Sequence, residues 1–373
     1  MDNDWIDTGP ELATKLERIY GLLERHHLDA LLLRQASNFA WATCGAASFI
    51  NRADSLGAAT LVITPQRRLV VSDNIEAPRL MNEAGLGQQG WESATQPWYT
   101  GQDPLAALIQ GVRAGADFAY PGALDLAGEL SALRLPLTAQ EGQRFRRLGR
   151  LCAQGMEQAA RAVVPGMSEY EIAAALAQAV EAAGVQATVN LVAVDERIFA
   201  YRHPLPTSRR LQKYAMLILC GRQGGLVCSL TRLVHFGPLP AEVRRKAEAV
   251  ARIDAEMIAA TRPAGTLGDV FAAAQVAYAA AGFPDEWQLH HQGGPAGYHP
   301  RETIATPGAT RPILAGQVFA WNPSITGAKS EDTILVGEQG NEILTEMPNW
   351  PVLAIQAGGQ TIKRPAILER TDL

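Results

Sequence analysis

The chain has 373 residues, with 33 Lys and Arg against 38 Asp and Glu for a net charge of -5, and 47% of its residues are hydrophobic. That length suits two domains and a large core, and the charge balance, with no Lys/Arg-rich run, offers no footprint for nucleic acid or an anionic membrane surface; a small molecule is the expected partner. No apolar run reaches the roughly 18 to 20 residues of a membrane span, and Met1-Asp2-Asn3-Asp4 has neither the basic start nor the apolar core of a signal peptide, so the cytoplasm is the expected location.

Helical periodicity runs over 11–26, a short apolar strand over 30–33, and a hairpin over 58–64 and 69–72. Further helices are expected around 75–84 and 105–114. A Pro-containing stretch, 133–137, then gives way to Thr138-Ala139-Gln140-Glu141, a capping-box pattern that opens a long amphipathic helix to about residue 163. The expected domains are therefore 1–137 and 138–373. A second capping box, Ser168 to Glu171, starts a helix that ends near residue 183. Helices over 241–261 and 267–281 flank strand-like runs at 215–220, 225–232, 318–322 and 332–336. The fold class is α/β (α+β), an α/β domain followed by helices packed outside a curved, mostly antiparallel sheet.

Four cysteines, Cys44, Cys152, Cys220 and Cys228, lie without CxxC spacing, which argues against a zinc knuckle or redox motif; buried, inert thiols are expected. The chemistry-bearing segments are elsewhere. They are Tyr201-Arg202-His203-Pro204, Cys220-Gly221 through Ser229-Leu230-Thr231-Arg232, His290-His291-Gln292-Gly293-Gly294, and Trp321-Asn322-Pro323 followed by Ser330-Glu331-Asp332-Thr333. The densest polar stretch adds Tyr298, His299, Arg301 and Glu302, with Gly293, Gly294 and Gly297 allowing close backbone approach.

In order and spacing these segments resemble the creatinase, prolidase and methionine-aminopeptidase superfamily, the pita-bread fold. Ala36-Ser37-Asn38-Phe39-Ala40-Trp41 and Thr43-Cys44-Gly45 look like the N-domain element of creatinases and prolidases. The resemblance implies an N-terminal creatinase-like domain, a C-terminal pita-bread catalytic domain and a homodimer. In metal-dependent members two ions are held by two Asp, one His and two late Glu. Carried over, the first Asp falls on Ile218 or Leu219, the second on Ser229, the His on His291, and the Glu pair on Asn322 and Glu331. Bridged divalent ions need shared carboxylates, so no metal and no cofactor is expected.

The resemblance implies that His203 is the proton-transferring His, which suits an imidazole that titrates near neutrality. His291 and Glu331 complete the expected catalytic set. His290, Tyr298, Asn322, Arg301, Ser229 and Arg52 are the candidate substrate-binding residues. Tyr298 takes the place of a second His of peptidase relatives, and Asn322 offers an amide where they have a carboxylate. Arg301 either reads a substrate carboxylate or pairs with Glu302. Glu331 binds a cationic nitrogen or orients His291 or His203. Arg52 is a solvated loop residue or a substrate-binding Arg offered to a neighbouring subunit. A Ser229-His203-Glu331 triad lacks the Gly-x-Ser-x-Gly elbow, and Asp332 is expected on the opposite strand face.

The expected function is that of a metal-independent, creatinase-like hydrolase of a C–N bond in a small polar, carboxylate-bearing molecule. Three alternatives stand beside it. One is elimination, decarboxylation or isomerisation at the same site, one an inactive pita-bread binding protein, and one an Xaa-Pro-type metallopeptidase with an altered metal site.

Overall fold

The computed structural model describes residues 8–371, so Met1–Asp4 lies outside the described residues. Contacts divide the chain into two units. One ends at Glu141 and takes in Gly224–Leu226; the other comprises Gly142–Gln223 and the chain from Val227 on.

In the first unit, helix α1 (Gly9–Arg25) buries Leu12, Ile19, Leu22 and Leu23 along one face, the 3.6-residue periodicity read from sequence. Strand β1 (Ala30–Gln35), helix α2 (Ala36–Ala42), and strands β2 (Leu56–Ile63), β3 (Arg68–Asp73), β4 (Glu92–Gln96), β5 (Ala114–Ala116) and β6 (Leu124–Asp125) follow, then helix α3 (Ala127–Leu133). The sheet order is β4-β3-β2-β1-β5-β6, with β2 and β3 forming the expected antiparallel hairpin.

Of two further expected helices one is shortened and the other is absent. Between 75 and 84 a short helical run over 77–83 passes from α-type into the π-helix Arg79–Glu83. The 105–114 stretch makes a single turn, in which Leu108 and Ile109 donate to the Leu105 carbonyl. Pro104 precedes that turn and Gly111 follows it at φ 74°, leaving too short a run to repay helix nucleation.

Helix α4 (Ala139–Ala162) opens behind the predicted capping box: Thr138 N and Oγ1 donate to Glu141 Oε2 at 2.8 and 2.9 Å, and Glu141 N donates back to Thr138 Oγ1. Helix α5 (Glu169–Glu181) starts on the Ser168/Glu171 box. The remaining elements are β7 (Gln186–Val194), α6 (Glu196–Ala200), β8 (Tyr214–Gln223), β9 (Leu226–Phe236), α7 (Ala241–Ala260), α8 (Leu267–Ala280), β10 (Gly293–Ala296), β11 (Val318–Trp321), β12 (Ser324–Ile325), β13 (Ala328–Lys329), β14 (Asp332–Val336), β15 (Asn341–Ile343), β16 (Val352–Ala357), β17 (Gln360–Pro365) and β18 (Leu368–Arg370).

Two four-stranded sheets form, β18-β9-β8-β7 and β10-β11-β14-β15. They meet where Thr231 N donates to the Glu331 carbonyl at 3.1 Å, and where Ser229 N and O both bond the Thr333 hydroxyl. Helices α7 and α8 bury Ile253, Met257, Val270 and Phe271 with Phe319 and Trp321 of β11. The Gly293-Gly294 pair is needed for strand packing: a Cβ on Gly293 would lie 2.2 Å from the Ala320 carbonyl oxygen, and one on Gly294 would lie 2.2 Å from that of Thr303. These glycines approach neighbouring backbone.

Candidate active site

In the second unit the two sheets enclose a cavity of about 320 Å³. One wall is apolar. It is formed by Val189 and Leu191 of β7 with Ile218 and Cys220 of β8, two positions apart on one strand face. The alternation settles the register: Ile218, and not Leu219, faces the cavity. Facing it are His203, His291, Arg301, Asn322, Lys329 and Glu331.

Each polar residue is held from behind. His203 lies in the loop after α6, where neighbouring Arg202 donates to Glu286 Oε2 at 2.6 Å and Thr326 Oγ1 at 3.0 Å. His290 and His291 precede β10. Their segment is tied down by Gln292, whose amide nitrogen donates to the His290 carbonyl and whose Oε1 accepts from Tyr278. Asn322 follows β11 and donates its backbone N–H to the Gln292 carbonyl at 3.0 Å. Lys329 ends β13, and Glu331 stands between it and β14.

Glu331 is buried and taken up by the chain's own donors. Lys329 Nζ lies 2.8 Å from Oε2, Arg301 Nη2 2.8 Å from Oε1, and Thr231 Oγ1 donates to Oε2 at 2.6 Å. Burial alone would raise this carboxyl; the Lys329 ammonium and Arg301 guanidinium outweigh it and hold it well below the usual carboxylate range. One carboxylate against two cations leaves this cluster with an excess of one positive charge.

The three imidazoles form a contiguous group. His290 Nε2 and His203 Nε2 are 3.1 Å apart, close enough to share one proton, and the His290 and His291 ring centroids are 4.5 Å apart. Burial first, then the Lys329 charge, lowers His203 below the ordinary imidazole value and pulls His290 down to about 2. Burial, followed by the Arg301 charge, brings His291 to about 4. All three are therefore neutral bases near pH 7. His290 Nδ1, His291 Nδ1, Asn322 Oδ1 and Arg301 Nε are buried polar atoms without a protein partner, a concentration that marks a ligand site.

Of the five positions implied for two divalent ions, four carry residues that do not fit them, His291 being the exception. Ile218 has no donor, and Ser229 Oγ is engaged with Cys220 Sγ at 3.3 Å and Arg301 Nη1 at 3.2 Å. Asn322 is a neutral amide, and both oxygens of Glu331 are already taken. Without bridging carboxylates, and with two cations in place, a dinuclear centre has nothing to neutralise it. Among the described residues, His203, His290 and His291 form the one group whose ligand atoms, all within 4.8 Å of one another, could gather around a single ion.

Several sequence-predicted roles change. Tyr298 is buried and is not among the residues that line the cavity; its backbone N–H donates to Glu302 Oε1 at 2.8 Å. Ser229 bonds Cys220 and Arg301, so no Ser229-His203-Glu331 triad forms. Arg301 pairs with Glu331 and not with Glu302. His290 stands behind His203 rather than on the cavity wall. Asp332, as expected, turns to the opposite face, and it pairs with Arg232 and Arg364. Arg52 lies in the exposed loop between α2 and β2 of the first unit. Sequence reasoning missed Lys329, although its spacing of two from Glu331 in a strand-like run is the signal for a shared face.

Residues 143–338 match metallopeptidase family M24. Agropine synthesis cyclase of Rhizobium rhizogenes is 29% identical over 214 residues, 49% of this chain and 52% of that protein. An uncharacterized peptidase of Staphylococcus saprophyticus is 26% identical over 235 residues, 59% of this chain and 65% of the relative. The matches thus span between about half and two thirds of these curated relatives. A crystal structure of a dipeptidase from Mycobacterium ulcerans shares the fold, with a TM-score of 0.74 over 93% of this chain and 98% of that one at 22% identity. The α/β domain followed by a pita-bread domain, expected from sequence, is the architecture observed.

Proposed function

The chain belongs to metallopeptidase family M24, and from that premise we propose that it is a metal-independent hydrolase cleaving a C–N bond in a small, polar, carboxylate-bearing substrate. The observation that carries this reading is the pairing of three neutral imidazoles with a carboxylate already neutralised by two of the chain's own cations.

His203 takes a proton from water while His290, 3.1 Å away, holds its ring. The hydroxide adds to the carbonyl carbon, and the C–N bond breaks as protonated His203 returns its proton to the leaving nitrogen. Asn322 and His291 hold the polar ends of the substrate, and the surplus positive charge favours a substrate that carries a carboxylate. The apolar wall of Val189, Leu191 and Ile218 takes its hydrocarbon part. A homodimer belongs to the same reading, and sedimentation analysis would check it.

The test is turnover of a panel of N-acyl amino acids and related small amides by chelator-treated protein. His203→Ala should lower turnover by about 10²- to 10⁴-fold while ligand binding persists. Activity that vanishes with chelator and returns with Mn, Co or Zn would sink the reading and point to an ion on His203, His290 and His291.

The relative named as a cyclase supports a second reading. The same base would deprotonate a nucleophile within the substrate, which adds to the carbonyl carbon in place of water and closes a ring as the C–N bond breaks and the leaving nitrogen takes the proton from His203. Product analysis separates the two, because hydrolysis incorporates solvent oxygen and ring closure does not.

A further inference from the structure

Glu331 needs only one cation. Arg301 meets it at 2.8 Å and the Thr231 hydroxyl at 2.6 Å, so neither charge balance nor hydrogen bonding calls for a second positive group. Yet Lys329, only 7% exposed, adds its ammonium to the same carboxylate and also lines the cavity. Burying an ammonium is costly unless its charge is used. Of its three N–H groups, one is spent on Glu331, and no other described residue accepts from it. Beside it, Arg301 Nε is buried without a partner. The cavity therefore presents unspent cationic donors at the end where the family pattern would place ions.

We propose that Lys329, assisted by Arg301, supplies the positive charge that ions supply in metal-dependent members, and that it holds an oxyanion of the ligand. This rests on the hydrolase reading for its chemistry. As hydroxide adds to the amide carbonyl, the C=O π pair moves onto oxygen; that oxygen gains the negative charge and accepts N–H bonds from Lys329. When the pair returns to reform C=O, the C–N bond breaks and the leaving nitrogen takes the proton from His203. Lys329 touches the reacting oxygen and is a catalytic residue. Donors already fixed by Glu331 need no reorganisation as the charge develops.

The experiment is isothermal titration of the full-length, chelator-treated protein with methylphosphonate, a tetrahedral oxyanion, and with its neutral dimethyl ester. The anion should bind and the ester should not. Lys329→Met should weaken anion binding by about tenfold or more, and Lys329→Arg should recover part of it. In turnover, Lys329→Met should lower kcat with KM little changed. The proposal is overturned if methylphosphonate does not bind, if the ester binds equally well, if a folded Lys329→Met variant binds unchanged, or if binding appears only after a divalent ion is added. The ester comparison uses unmodified protein, so it stands even if Lys329→Met does not fold. Lys329-dependent anion binding without hydrolysis of any amide would sink the hydrolase reading and leave the anion site intact.

Discussion

Adjacent carboxylates at the start of one strand, Glu331 and Asp332, build two charged clusters on opposite faces. Asp332 accepts from Arg232 at 2.8 Å and Arg364 at 2.6 Å, and Arg364 also pairs with Asp254 at 2.6 Å. Two carboxylates meet two guanidinium groups, and the Thr345 and Ser330 hydroxyls donate to Asp332 Oδ1 and Asp254 Oδ2, oxygens that the guanidinium groups also bond. That cluster is neutral and sealed. On the other face Glu331 meets Lys329 and Arg301, which leaves an excess positive charge lining a cavity. Both are buried ion clusters, and burial alone does not separate a structural one from a functional one. Charge balance and access to a cavity do.

Substitutions can break this contrast. The largest loss of stability should come from Arg364→Met, which strands Asp254 and the second side of Asp332; we expect about 3 to 5 kcal/mol, read from urea unfolding. Lys329→Met should cost less, about 1 to 2 kcal/mol, because Glu331 keeps Arg301 and Thr231, while it abolishes most anion binding. Comparable losses of stability from the two variants would erase the distinction between the clusters.

Acid should act through the imidazoles. His290 and His291 stay neutral in the folded state down to about 2 and about 4, whereas an unfolded His takes a proton near 6.5. Between these values the unfolded chain binds more protons, so stability is full above about pH 6.5 and declines as pH falls toward 4. Urea midpoints at a series of pH values from 7 to 4 check the direction. For His203, lowered by burial first and Lys329 next, the acid limb of kcat/KM should lie below about pH 6.5. Lys329→Met removes one lowering charge and should move that limb to higher pH. The smallest effect belongs to Ser229→Ala. It loses two weak hydrogen bonds, about 1 kcal/mol, and should leave turnover nearly intact; a collapse of turnover would revive a serine nucleophile.

Local chemistry made much of this fold legible. The capping boxes at Thr138 and Ser168 announce α4 and α5 because the reciprocal bonds are short-range and written in consecutive residues. Periodicity misled at 105–114, where Pro104 and Gly111 outweigh the apolar spacing. Strand β7 carried a usable signal in the alternation of Gln186, Thr188 and Asn190 with Ala187, Val189 and Leu191; its place is set by pairing along β8. The hairpin of β16 and β17 carried a usable signal, since Gly358 and Gly359 at φ 56° and 78° form the two-residue turn that such pairs favour.

At the site, the sequence pointed to His203, His291, Asn322, Arg301 and Glu331, all of which line one cavity. It could not tell that Arg301 reaches Glu331, 30 positions away, rather than its neighbour Glu302. Nor could it show that Tyr298 is not among the residues lining that cavity. Those depend on how β10 lies against β11, which only the assembled sheet determines.

The most direct test of metal independence is elemental analysis of the purified protein, paired with anion binding and amide turnover before and after exhaustive chelation. Less than about a tenth of an ion per chain is expected, with both properties unchanged by chelator, since too few anionic ligands remain to hold one. One or two tightly held ions per chain, with function lost on their removal, would contradict metal independence and would mean that a metal, and not Lys329 with Arg301, supplies the positive charge at the site.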